Sequence, residues 1–194
     1  MSGSVAAAAF AGGASVRMGT DKADVIVDGV SMLEHVVDTF QSIADEVFVV
    51  GGRPREISGA RYVADTWPGE GPVGALLTAF DAVSEDVDVI VSASCDLARL
   101  NGSVVGELVA ALRASDALSA VPLIGGVRQW HLAAWRRRAQ VGLRQAFDQG
   151  TRSMRRASGS VSRVHVVSAD LGAFVDFDTP EAVAGQTSRE DFGH

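Results

Sequence analysis

One lysine and a few well-placed acids give this chain the means to handle phosphate. Lys22 is the sole lysine among 17 basic residues, the others being arginines. It closes the segment Ala11-Gly12-Gly13-Ala14-Ser15-Val16-Arg17-Met18-Gly19-Thr20-Asp21-Lys22. A lysine ammonium is a compact charge on a flexible stem, suited to reaching a phosphate inside a crowded loop. The glycines let backbone N–H groups approach a ligand, although a glycine pair after a strand also serves simple chain reversal. The segment is neither G-x-x-x-x-G-K-[ST] nor G-x-G-x-x-G, which excludes the two commonest nucleotide loops.

A carboxylate stands at a second strand end. Asp96 follows the apolar run Val89-Ile90-Val91-Ser92-Ala93-Ser94. A hard cation such as Mg²⁺ uses one or two carboxylates together with substrate phosphates, and Asp96 is placed for that. A turn or helix-capping aspartate is the plainer alternative. Asp176 and Asp178, just before Thr179-Pro180-Glu181, are candidates for a second carboxylate or for turn chemistry. Between residues 128 and 163 lie nine arginines and one acid, Asp148, in a chain of net charge −7. Arg136-Arg137-Arg138 read as a solvated helix face. Arg152, Arg155 and Arg156 are candidates to meet an anionic ligand.

The elements that would position these residues follow from periodicity. Residues 5–10, 47–50, 87–94 and 164–168 read as strands, with extended stretches at 118–124 and 128–135. Helices are expected from Ser31, where Ser31 and Glu34 form a capping box, and around residues 73–83, 104–112 and 137–147. Thr179-Pro180-Glu181 opens a short last helix. Alternating strands and helices imply an α/β layered fold with a mostly parallel sheet, whose ligands bind beyond the carboxyl ends of the strands. Gly12-Gly13, Gly51-Gly52 and Asp96 all fall at such ends. One domain over 1–185 and a polar tail over 186–194 are expected.

Composition narrows the function. A pI near 5.0 argues against a nucleic-acid partner. No apolar run reaches membrane-spanning length, and residues 5–10 lack the basic flank of a signal peptide. The single cysteine, Cys95, fits a reducing, cytoplasmic setting. Cys95, His35, His131 and His165 lack assigned catalytic partners and read as ordinary packing residues.

The segment Phe10-Ala11-Gly12-Gly13-x-Ser15-x-Arg17-Met18-Gly19-x-Asp21-Lys22 resembles the nucleotide-binding signature of the MobA-like nucleotidyltransferases. Further matches lie in order at Gly69-Glu70-Gly71-Pro72-Val73-Gly74, Cys95-Asp96, Gly150-Thr151-Arg152-Ser153-Met154 and Phe174-Val175-Asp176-Phe177-Asp178-Thr179-Pro180-Glu181. The resemblance implies a three-layer α/β/α Rossmann-like fold. It also implies transfer of a nucleoside monophosphate to a phosphate-bearing acceptor, with release of pyrophosphate. By that resemblance Phe10, Ala11, Gly12, Gly13, Ser15, Lys22, Gly52, Asp65 and Asp96 contact the nucleotide. Lys22, Arg17 and Asp96 serve the chemistry, Asp96 and Asp178 hold Mg²⁺, and Arg152, Arg155 and Asp176 face the acceptor.

The implied substrates are GTP and molybdopterin. Three departures from the guanylyltransferase pattern keep alternatives open. No proline follows Asp96 closely, acids stand at 176 and 178, and Gly52 precedes Arg53. The alternatives are a relative using CTP or another phosphorylated acceptor, and a catalytically idle nucleotide-binding relative. Such chemistry rests on positioning and charge neutralisation, so no histidine base is required.

Overall fold

The computed structural model describes residues 3–12 and 21–167. Its sheet contains β1 (Ser4–Phe10), β4 (Glu46–Val50), β5 (Arg61–Val63), β6 (Val87–Ser94), β7 (Ser119–Ile124), β8 (Val127–Arg128), β9 (Leu132–Arg136) and β10 (Arg163–Val167). A separate two-stranded hairpin is formed by β2 (Ile26–Val27) and β3 (Val30–Ser31). The helices are α1 (Met32–Gln41), α2 (Pro72–Ala82), α3 (Gly102–Arg113), α4 (Ala139–Asp148) and α5 (Met154–Ala157). The strand order is β10-β7-β9-β6-β1-β4-β5, with β8 paired to β7. Strands β5, β4, β1 and β6 run parallel, β9 is antiparallel to both its neighbours, and β10 is parallel to β7.

Strand β1 shows why the sheet lies in the middle of three layers. Its side chains alternate between faces. Val5, Ala7 and Ala9 pack with Leu33, Val36 and Phe40 of α1 and with Val105 and Leu108 of α3. Ala6, Ala8 and Phe10 pack with Leu76 and Phe80 of α2, Leu143 of α4 and Met154 of α5. The small alanines let helices approach both faces closely. The expected capping box is present at α1: Ser31 Oγ accepts from Glu34 N, and Ser31 N donates to Glu34 Oε2. These Ser31 hydrogen bonds hold the Glu34 carboxyl below its usual range.

Two expectations change. The extended run 128–135 is split into β8 and β9. Gly125 and Gly126, both at positive φ, make the two-residue turn that brings β8 back along β7. The break falls opposite Pro122, which has no N–H to offer the ladder; its carbonyl accepts from Gln129 N at 3.0 Å instead. The helix expected over 137–147 begins at Ala139, so Arg136-Arg137-Arg138 do not form a helix face.

These arginines instead bond to backbone carbonyls. Arg136 donates to Leu112 O (2.9 Å), Ser115 O (2.9 Å) and Ala117 O (3.1 Å) at the end of α3, while Arg137 donates to Ser84 O and Arg138 to Asp116 O. Orphan helix-end carbonyls are thereby satisfied by a charged donor. Arg136→Ala is expected to cost about 2 kcal/mol of stability in a denaturant melt, with the site chemistry unchanged.

Candidate active site

The parallel strands all end on one edge, and that edge opens into a cavity of about 880 Å³. Phe10 at the end of β1 and Gly12 after it, Gly51 and Gly52 after β4, Ala64 and Asp65 after β5, and Ser94 at the end of β6 all line it. Antiparallel β9 contributes from its beginning, through Trp130 and His131. The far wall carries Gly69, Gly71 and Pro72 before α2, and Ser153, Met154 and Arg155 around α5. Its size suits a small-molecule substrate site.

Two glycine loops fit together at its base. Gly52 has φ +67, and a Cβ there would lie 2.7 Å from Ala11 O. Tyr62 Oη donates to Gly52 O at 3.1 Å and braces the loop from β5. Gly52→Ala therefore meets both a strained dihedral and a backbone clash. Its expected signature is a melting temperature several degrees lower together with weakened nucleotide affinity, read by thermal denaturation and calorimetry.

The charged part of the site stands beside this cavity, two residues beyond Ser94. Lys22 Nζ lies 3.5 Å from Asp96 Oδ2. Asp96 is 7% exposed, and its Oδ1 is buried with no hydrogen-bond partner. An unsatisfied buried carboxylate oxygen costs roughly 1–3 kcal/mol, a cost that a bound water, ion or ligand removes. Asp96 does not cap α3, whose N-cap is Asn101. No group of three or more His, Cys, Asp or Glu among the described residues is arranged around a metal position. The donor set here is thus one hard oxygen, which suits Mg²⁺ when phosphate oxygens complete its shell.

Packing explains why Lys22 meets Asp96. The 3₁₀ turn Lys22–Asp24 is capped by Asp21, whose Oδ1 accepts from Ala23 N at 3.1 Å. The hairpin that follows packs Val25 and Val27 against Ala98 and Met32. The loop after Asp96 is anchored by buried Leu97, Ala98 and Leu100, and Thr39 Oγ1 donates to Leu100 O at 2.9 Å. Apolar packing therefore holds this loop although no proline follows Asp96.

The other expected residues divide by place. Phe10, Gly12, Gly52, Asp65 and Arg155 line the cavity, and Ala11 is buried beneath Gly52. Asp65 Oδ1 accepts from Trp67 N and from Thr78 Oγ1. Arg152 points elsewhere: it pairs with Glu70, donates to Phe147 O at 2.6 Å, and lies over the Phe147 ring. Gly13, Ser15, Arg17, Asp176 and Asp178 lie outside the described residues, as do the expected last helix and the tail over 186–194.

Cys95 is buried, and burial together with the neighbouring Asp96 charge pushes its thiol up to about 12, so it offers no thiolate at neutral pH. His35 Nε2 meets Val27 O at 2.7 Å in a structural contact. His165 Nε2 accepts from Arg128 Nε, and its pKa is lowered by burial and by Arg128 and Arg163. Tyr62, Trp130 and His131 are cavity residues with no signature in the sequence, because a short strand and a strand break place them, whereas Met154 ends the Gly150–Met154 match.

Comparison with known proteins agrees with this geometry. The sequence model described as the MobA-like NTP transferase domain matches residues 7–166. A molybdenum cofactor guanylyltransferase of Shewanella baltica is 27% identical over 190 residues, covering 93% of this chain and 94% of the relative. A probable molybdenum cofactor guanylyltransferase of Chloroflexus aggregans is 32% identical over 156 residues, covering 75% of this chain and 72% of the relative. Among solved structures, molybdopterin-guanine dinucleotide biosynthesis protein A from Archaeoglobus fulgidus superposes with a TM-score of 0.76 at 18% identity, covering 93% of this chain and 95% of that one. A 4-diphosphocytidyl-2C-methyl-D-erythritol synthase from Anaerococcus prevotii shares the fold with a TM-score of 0.74 at 10% identity, covering 97% and 98%. Among the described residues no helix is long and apolar enough to cross a membrane. With its family signature spanning the sheet and the cavity edge, the chain belongs to the MobA-like NTP transferases and is a nucleotidyltransferase.

Proposed function

We propose that the chain transfers GMP from GTP to the phosphate of molybdopterin and releases pyrophosphate. The observation that carries the reading is the orphaned, buried Oδ1 of Asp96 beside Lys22, two residues beyond the cavity-lining Ser94. The choice of GTP and molybdopterin draws on the curated relatives, which are named as molybdenum cofactor guanylyltransferases.

In this reading an acceptor phosphate oxygen attacks the α-phosphorus of GTP. A new P–O bond forms there, the α–β bridging bond breaks, and the electron pair leaves on pyrophosphate. The acceptor is already an oxyanion, so the protein's task is positioning and charge neutralisation. Gly12 and the Gly51-Gly52 loop give the nucleotide close backbone approach, with Gly13 and Arg17 beside its phosphates and Ser15 a further nucleotide contact in this reading. Lys22 neutralises charge building on the leaving pyrophosphate. Asp96, joined by Asp178, would hold Mg²⁺, which supplies Lewis-acid neutralisation of the phosphates when bound. Asp65 steadies the nucleoside side, while Arg155 and Asp176 serve the acceptor side, and Arg152, engaged with Glu70 and Phe147, braces the wall behind Arg155. The reaction is assigned to the cytoplasm and to one domain over 1–185.

A second reading, cytidylyl transfer, rests on position 52, where the cavity wall offers no side chain to read a guanine edge. At position 52 the cavity meets glycine backbone, and the Gly52 carbonyl is taken up by Tyr62. Calorimetric titration of GTP and CTP with Mg²⁺ separates the two. Guanylyl transfer predicts GTP binding at least about tenfold tighter, a difference of 1.4 kcal/mol. Equal affinities, or tighter CTP binding, contradict it.

A further inference from the structure

Lys22 sits between two carboxylates of its own segment, Asp21 and Asp24. Left uncompensated, either would compete with a phosphate for the ammonium. Both are taken up from another loop. Arg55 is nine-tenths buried, with side-chain exposure of 9%. Its Nη2 donates to Asp21 Oδ2 at 2.5 Å, and its Nη1 donates to Asp24 Oδ1 at 3.0 Å. Its Nε donates to Arg53 O at 3.2 Å, which ties the guanidinium to its own loop. Arg53 completes the set by donating to Asp24 Oδ2 from Nε and Nη2, at 3.2 and 2.8 Å.

The second loop is the one that forms the cavity wall. Gly51 and Gly52 line the cavity, and Arg53 and Arg55 follow directly. Asp21 also caps the turn that carries Lys22, through Ala23 N. The guanidinium thus joins the wall of the nucleotide cavity to the lysine turn through a planar fork that engages both acids at once.

From this geometry we infer that Arg55 is a positioning residue for Lys22: it withdraws Asp21 and Asp24 from the ammonium and fixes the lysine turn to the Gly51-Gly52 wall. The inference rests on the reading of Lys22 as a ligand of the leaving phosphates. Arg55 acts through Lys22 and needs no phosphate contact of its own.

The test is a double-mutant cycle read by calorimetric binding of inorganic pyrophosphate with Mg²⁺, on the full chain. The proteins are wild type, Arg55→Met, Lys22→Met and the double variant, each checked by thermal melting. Arg55→Met is expected to weaken pyrophosphate binding about tenfold when Lys22 is present and less than about twofold when it is absent. Arg55→Lys can serve only part of the fork, so it is expected to fall between, at about threefold, again only with Lys22 present. This variant carries the same cycle if Arg55→Met fails to fold. Equal weakening in both lysine backgrounds overturns the inference, and so does unchanged affinity in Arg55→Met. Pyrophosphate binding that Lys22→Met itself leaves unchanged overturns the role of Lys22, and the inference falls with it.

Discussion

Asp96→Asn should lower the rate of pyrophosphate release from GTP and molybdopterin about a thousand-fold, the equivalent of about 4 kcal/mol of transition-state stabilisation. The substitution keeps the shape of the side chain and removes its charge. In the folded chain that charge is costly, because Oδ1 is buried without a partner and only Oδ2 meets Lys22, at 3.5 Å. Removing it gives up the pair with Lys22 but also relieves the burial of a charge, and these opposed effects should leave stability within about 1 kcal/mol of wild type. The two readouts together identify the role. A thousand-fold loss with an unchanged melt marks a ligand-binding carboxylate. A large fall in melting temperature with normal turnover marks a structural one.

Lys22→Met should be nearly as severe, with turnover lowered about a hundred-fold or more, and because it takes the Lys22 charge away from the buried Asp96 carboxylate it should also cost about 3 kcal/mol in a denaturant melt. The lysine side chain is largely buried beside Asp96, and their pairing brings together the two charges that the chemistry needs. Lys22→Arg is the sharper test. In a chain whose other basic residues are all arginine, a conservative swap retains the charge but replaces a flexible point charge with a rigid planar fork. Recovery is expected to stay below about a tenth of wild-type turnover. Full activity in Lys22→Arg contradicts a requirement for lysine geometry, and full activity in Lys22→Met contradicts the mechanism.

Much of the architecture is legible in the sequence because its signals are local. The apolar run ending at Phe10, the Ser31–Glu34 capping box and the apolar run before Asp96 each follow from short-range chemistry. What escaped depends on distant partners. Strand β5 is three residues long and shows no period, yet it pairs with β4 and delivers Tyr62 and Asp65 to the cavity. Trp130 and His131 stand just before β9, where the pairing with β7 is interrupted and His131 O accepts from Ser94 N at the end of β6. The arginine run 136–138 has the composition of a solvated helix face, but the carbonyls that draw it inward belong to α3 and to the loop after α2. Arg152 likewise turns toward Glu70 and Phe147, partners no local pattern announces. The clamp of Arg55 on Asp21 and Asp24 spans more than thirty positions of sequence, so spacing alone does not reveal it.

The most direct test of the central claim is a turnover assay with purified protein, molybdopterin and Mg²⁺, supplied in turn with GTP, CTP and ATP. Guanylyl transfer at this site predicts pyrophosphate release with GTP, accompanied by an equal amount of guanylylated acceptor. It also predicts that this activity is lost in Asp96→Asn. No product with GTP, or faster turnover with CTP, contradicts the account.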